Sequence, residues 1–425
     1  MTKVVCAPAS LIPVTLDENV NYFTLYSNIG RPGVGSISPG WVYDLEHLGL
    51  APSVQVWDFT TLALAVSAAD LACSRTKSAD GWTRTLELEV HLCNPDPWID
   101  LINEIESTLR FLTGDFWSLN FLPNGVQPPR TTAPKLYDAD CVSLLSGGVD
   151  SLIGAIDLTT QGRHPLFVSQ IAKGDAVTQY KYARDLGAIE RHFQWNHRIK
   201  PAHSAERSTR GRSIVFFAFA ALASSAISNN VTGPVEIFVP ENGFISLNIP
   251  LNPGRLGSFS TKTTHPLFMK RLQNIWDNVG INALLRFPYR YVTKGEMLAS
   301  CTNQTLLQQL VGESTSCGRF ATYNYKHCGR CVPCLVRRAA FLRAGMPDST
   351  PIYVFNNLAL QGRDTGANDI GALAAAYLRY RAIGAHKFSL GSLTFADSTT
   401  QPQYEAVVGR SMDELGNFLQ ASRVI

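Results

Sequence analysis

The stretch Cys141-Val142-Ser143-Leu144-Leu145-Ser146-Gly147-Gly148-Val149-Asp150-Ser151-Leu152-Ile153-Gly154-Ala155-Ile156 decides how this chain folds. Its first five residues form a short apolar run that reads as a buried strand and stops at Ser146-Gly147-Gly148. From Asp150 onward the apolar residues recur at helical spacing. Strand, glycine turn and helix follow one another directly. Two glycines let the backbone turn sharply and approach an anion without a Cβ in the way, so successive N–H groups can form a concave nest at the helix N-terminus. The helix dipole favours a phosphate in that place. The Ser146 and Ser151 hydroxyls add donors, and Asp150 is a candidate ligand for the magnesium that accompanies a nucleotide. The plainer reading is a tight strand-to-helix turn with Asp150 as a cap. Neither G-x-x-x-x-G-K-[ST] nor G-x-G-x-x-G fits these residues.

Downstream, strand and helix patterns alternate: 165–171 then 177–186, 190–195 then 214–229, and a further strand at 235–240. Such alternation predicts a parallel sheet with helices on both faces, an α/β fold whose ligands sit at the carboxyl ends of the strands. Upstream, residues 1–125 mix both signals. Thr85 to Leu92 alternates cleanly, as a strand with one wet face does, and residues 98–112 carry apolar positions at helical spacing. The expectation is an N-terminal α+β domain over 1–125. The Pro- and Gly-rich residues that follow mark a linker over 126–138. Residues 346–425 predict a C-terminal helical extension with helices near 370–383 and 411–422. No internal repeat is visible.

Composition fits several packed units in one chain: 425 residues, 45% hydrophobic and 17% charged. A net charge of +3 gives no bulk reason to expect direct nucleic-acid binding. The longest apolar run, 214–227, falls short of the roughly 20 residues that span a bilayer, so no membrane association is expected. The first residues lack the pattern of a secretion signal, and the expected location is cytoplasmic. In that setting, nine cysteines with four crowded at Cys317, Cys328, Cys331 and Cys334 suggest a metal site over 317–334 rather than disulfides. The pattern C-x10-C-x2-C-x2-C turns successive thiolates toward one ion and leaves no open position, which favours structural Zn2+. An iron–sulfur cluster is the rival.

Ser146-Gly147-Gly148-Val149-Asp150-Ser151 resembles the SGGxDS signature of the PP-loop ATP pyrophosphatases. The segment from Ser316-Cys317 through Cys328-Gly329-Arg330-Cys331-Val332-Pro333-Cys334 to Phe341 is similar to the zinc segment of the QueC-like 7-cyano-7-deazaguanine synthases. The resemblance covers about residues 139–345, with Pro288 and Thr293 to Met297 also similar. It implies a Rossmann-like sheet of the adenine nucleotide alpha hydrolase type, with ATP, Mg2+ and Zn2+ as cofactors. It further implies ligase chemistry: the carboxylate of a 7-deazaguanine is adenylated, pyrophosphate leaves, and a nitrogen nucleophile captures the acyl group. The chain departs from the family at 208–213, and near Glu241-Asn242-Gly243 and 255–259. Its additional residues, 1–138 and 346–425, resemble the QueC-like proteins of anti-phage defence operons, the QatC branch. That branch implies transfer to the N-terminus of a partner protein from the same operon. Synthesis of the nitrile with ammonia, thiolation chemistry and a non-catalytic ATP-sensing subunit stay open beside this reading.

Among lesser candidates, Arg207, Arg210 and Arg212 precede the apolar helix, where cations are unfavourable unless an anion binds. Arg210 is the preferred catalytic residue of the three, and Lys294 a second candidate for the phosphates. Thr293 and Glu296 fit a capping box. Glu241 lies just beyond a strand, where a carboxylate could receive a guanine-like amino edge or simply form a surface ion pair. His192, His197 and His203 have no metal spacing.

Overall fold

The computed structural model describes all residues except 1, 29, 172–173, 204, 228–232, 252–261 and 359–368, so the departure at 255–259 lies outside the described residues. The chain is α/β and carries two mostly parallel sheets. The first has the order β5-β4-β1-β2-β3-β9, built from β1 (Thr2–Ala7), β2 (Val20–Thr24), β3 (Val34–Ile37), β4 (Thr85–His91), β5 (Phe116–Leu122) and β9 (Ile199–Lys200). Every pairing in it is parallel except β3 with β9. The second is parallel throughout, with the order β11-β10-β6-β7-β8: β6 (Cys141–Leu144), β7 (Pro165–Gln170), β8 (His192–Trp195), β10 (Val235–Phe238) and β11 (Ala283–Arg286).

The parallel pairing within residues 2–122 corrects the α+β expectation. Alternation in Thr85–His91 signals one wet face, commonly the mark of an antiparallel sheet. Here helix 54–72 packs on β4 and the strand's burial alternates residue by residue, so a parallel strand alternates as well. By contrast, β6 and β7 are buried along their whole length, as strands covered on both faces must be.

Both sheets are wound in the same order. Each starts at its centre (β1, β6), adds two strands to one side (β2 and β3; β7 and β8), then returns to the other side (β4 and β5; β10 and β11). The halves meet through equivalent helices: Val54–Ala72 packs on Ser213–Ser224, and Ile102–Thr113 on Pro266–Val279. The repeat absent from the sequence is thus present in the topology. One continuous core runs from Val4 through Trp57 and Phe219 to Leu285, and β9 crosses over to extend the first sheet. The segment read as a linker is packed too: Val126 O accepts from Trp57 Nε1 at 2.6 Å, and the Tyr137 hydroxyl donates to Leu48 O at 3.1 Å.

The C-terminal residues form helices Ile370–Ser389, interrupted at Gly384, and Gln401–Ala421, which begins ten residues before the expected 411 because Pro402 fits the first turn. They share a second core with Phe244, Leu247 and helix Val332–Ala344. No described helix is long and apolar enough to cross a membrane.

Candidate functional site

In the second sheet the winding reverses between β6 and β10, and ligands of such sheets bind at the carboxyl ends of the strands beside that reversal. The glycine turn follows β6 there. Gly147 has φ +88°, a left-handed conformation that an L side chain adopts only with strain, and Gly148 caps helix Val149–Thr160. Ser151 Oγ lies 3.1 Å from Ser146 Oγ and donates to Gly148 O at 3.0 Å, which holds both hydroxyls at the mouth of the turn. Gln179 Nε2 donates to Ser146 O from the other side at 3.2 Å. Ser146, Gly148, Val149, Asp150 and Ser151 line one cavity of about 200 Å3 with Glu241 and Lys294.

Asp150 is only 5% exposed and both its oxygens are engaged. One pairs with the Lys294 ammonium, and the other accepts from Asn242 N at 3.1 Å and Asn242 Nδ2 at 2.6 Å. Burial works against its charge, but Lys294, Glu241 and Asn242 outweigh it and hold the carboxyl below its ordinary range. Glu241 is driven the opposite way. Burial and the Asp150 charge push it well above the usual range, so the two carboxyls are shifted in opposite directions. Lys294 arrives at the start of helix Lys294–Ser300, whose capping box of Thr293 and Glu296 is formed in full.

Arg210 is not brought to this cavity. Its N–H donates to Asp70 Oδ2 at 2.5 Å, its guanidinium donates to Thr113 O at 3.3 Å, and it lies over the Trp82 ring. It belongs to a buried ionic cluster between the halves, in which Arg75 grips Asp115 at 2.9 and 3.0 Å and Arg84 bridges Asp70 and Asp115. Two residues on, beyond Gly211, Arg212 is the basic residue whose charge bears on Asp175 and His197, beside the glycine turn. His192 and His197 end on Ser169 and Gln170, and burial holds both at about 4, hence neutral.

Asp175 was not singled out in the sequence; it occupies the N-cap position of helix Ala176–Asp185 but makes no side-chain capping bond there. Its Cβ lies near Gly147, and its buried Oδ1 has no partner among the described residues. An orphaned carboxylate oxygen close to Gly147 is the kind of donor a hard divalent cation such as Mg2+ takes.

The four cysteines converge. All are buried, with their sulfurs within 4.8 Å of one another, and the Cys317–Cys331 and Cys328–Cys334 separations are both 3.9 Å. That is too long for a disulfide, and it is close to the ~3.8 Å edge of a tetrahedron with metal–sulfur distances of about 2.3 Å. Backbone N–H groups of Arg319 and Cys328 donate to Cys317 Sγ, and those of Arg330 and Cys331 to Cys328 Sγ, as thiolates require. The cluster could hold a metal ion, and its donors fit zinc. It is also tied to the glycine turn: Thr315 N, two residues before Cys317, donates to Gly147 O at 2.9 Å. Fully buried Arg337 fixes this approach by donating to Ser314, Ser316 and Val311.

No family model matches the chain, and no curated protein matches it.

Proposed function

We propose that the chain is a PP-loop, QueC-like enzyme: an ATP-dependent carbon–nitrogen ligase that adenylates the carboxylate of a 7-deazaguanine. We further propose that it transfers the acyl group to a nitrogen nucleophile, the N-terminal amine of a partner protein in an anti-phage system. What supports the reading most is one convergence. An anion nest, a buried Asp150–Lys294 pair and a four-cysteine module meet at the reversal point of a parallel sheet.

In this reading the N–H groups of Gly148, Val149 and Asp150 and the hydroxyls of Ser146 and Ser151 receive the pyrophosphate end of ATP. No protein nucleophile is needed, because the work is alignment and charge stabilisation as pyrophosphate leaves. Mg2+ supplies neutralising charge when bound, with Asp150 and Asp175 to hold it. Lys294 reaches the phosphates from its place beside Asp150. The cysteine module, loaded with Zn2+, keeps Thr315 against Gly147. Cys141 is an unsuitable thiolation nucleophile: burial at the base of β6, with Asp140 beside it, pushes its thiol well above the usual range.

The test is mass spectrometry on wild type and Asp150→Ala incubated with ATP, Mg2+ and 7-carboxy-7-deazaguanine, with either ammonia or a co-expressed neighbouring protein. AMP with an acylated protein is the expected wild-type result. AMP with a free nitrile would make the chain a synthase, and ATP bound but never consumed would make it a sensing subunit.

A further inference from the structure

The C-terminal helix Gln401–Ala421 touches the residues on either side of Lys294 through Glu414. Glu414 is 7% exposed, and its carboxylate accepts from the Thr293 hydroxyl and, at 3.3 Å, from Gly295 N. Those two residues flank Lys294, whose ammonium pairs with Asp150. Contact is so close that a Cβ on Gly295 would lie 2.8 Å from Glu414 Oε1 and 2.6 Å from Arg343 Cγ. A second tie lies one turn earlier, where Arg410 donates to Glu296 at 2.7 Å and to Tyr291 O at 2.7 Å. Thus the two residues flanking Lys294, one through its hydroxyl and the other through its backbone N–H, hang from one carboxylate on a helix more than a hundred residues away in sequence.

We infer that Glu414 is a positioning residue for Lys294, through which the C-terminal helix sets the geometry of the Asp150–Lys294 pair. The inference rests on the reading of that pair as part of a nucleotide site. A carboxylate so enclosed is a poor choice for stability alone. Burial raises it to about 7, helped by Glu296, while Thr293, Gly295 and Arg343 oppose the rise. A side chain that fills space equally well without charge would cost less, so the charge answers to another need. The groups facing it are Thr293, Gly295 and Glu296 from the Lys294 helix and Arg343 from helix Val332–Ala344, with Arg410 on its own helix bound to Glu296. In the ionised form both donors bind a full charge and the backbone around Lys294 is fixed. Protonation weakens both bonds together.

The experiment is amine labelling of the full-length protein followed by peptide mass spectrometry, with Lys294 normalised to exposed Lys270. Wild type, Glu414→Gln and Glu414→Ala are compared from pH 6 to 8. In wild type the protection of Lys294 rises about fivefold across that range as Glu414 ionises. Glu414→Gln stays at the low-pH level throughout, and Glu414→Ala labels at least tenfold faster than wild type at pH 8. Should Glu414→Ala fail to fold, the isosteric Gln variant decides. Equal, pH-independent protection of Lys294 in wild type and Glu414→Gln overturns the inference. Mg2+-ATP titration calorimetry on the same samples separates the two readings. Absent binding to wild type indicts the nucleotide site, whereas Lys294 labelling reports on Glu414 whether or not ATP binds.

Discussion

Asp150 carries opposite duties at the residue scale: it balances a buried ammonium and faces an anion nest. Asp150→Asn keeps the shape and leaves Lys294 without its counter-charge. Breaking a buried pair from one side costs about 3–5 kcal/mol, and we expect a loss toward the lower end of that range in urea unfolding, because Asn242 can still bond the amide. The pH sign follows from the carboxyl being held below its usual 3.8. Its contribution is present above that value and fades as pH falls through the lower folded value, so the two proteins converge in stability in strong acid. Glu414 behaves the other way. Its folded value, about 7, lies above the ordinary 4.5, so the stability tied to its neutral form is present below 4.5 and lost as pH rises to 7, on the order of 3 kcal/mol. Glu414→Gln therefore flattens that decline and melts higher than wild type at pH 8, while losing the pinning of Lys294.

Elements show where the sequence was legible and where it was not. The strand, turn and helix at 141–160 could be read because each has a local cause: an apolar run, a glycine at positive φ, a helical period. Gly147→Ala, placing an L side chain at φ +88°, is expected to cost about 1–2 kcal/mol and to distort the nest, read as lowered thermal stability with weakened pyrophosphate binding. The cysteine spacing was legible for the same reason, being short-range. Cys328→Ser removes a thiolate that accepts two backbone N–H groups. Atomic emission should show bound zinc falling from about one per chain to near zero, with a colourless wild type excluding iron–sulfur. Arg210 and Arg212 were not separable in sequence, because the chain turns at Gly211 and sends one into the ionic cluster and the other toward Asp175. Asp175 carries no motif that marks it, and Glu414 has no local signature at all, since its meaning lies in contacts 119–121 residues away.

For the whole molecule, the shared strand order is the largest feature that sequence reading missed. Topology is set by which strands pair, and two sheets can be wound alike with no common motif. The first half has no glycine nest after its central strand: β1 runs into Pro8, which has no N–H to offer an anion. What it contributes is a covering surface. Helix Val54–Ala72 is buried along most of its length against Ser213–Ser224, which is itself apolar nearly all round. Removing residues 1–138 would bare that face and cut the ionic cluster at Asp70 and Asp115. The truncated chain is expected to be insoluble, as a sedimentation assay of soluble yield would show, rather than a smaller working enzyme.

In the proposed function the cavity at the β6 turn activates a carboxylate with ATP. Acid-dependent exchange of labelled pyrophosphate into ATP tests it most directly, because it requires reversible adenylate formation and no acceptor. Wild type is expected to exchange with 7-carboxy-7-deazaguanine and Mg2+, and Asp150→Asn to exchange at least a hundredfold less. Mg2+-ATP bound without exchange, or ADP in place of AMP, would contradict it.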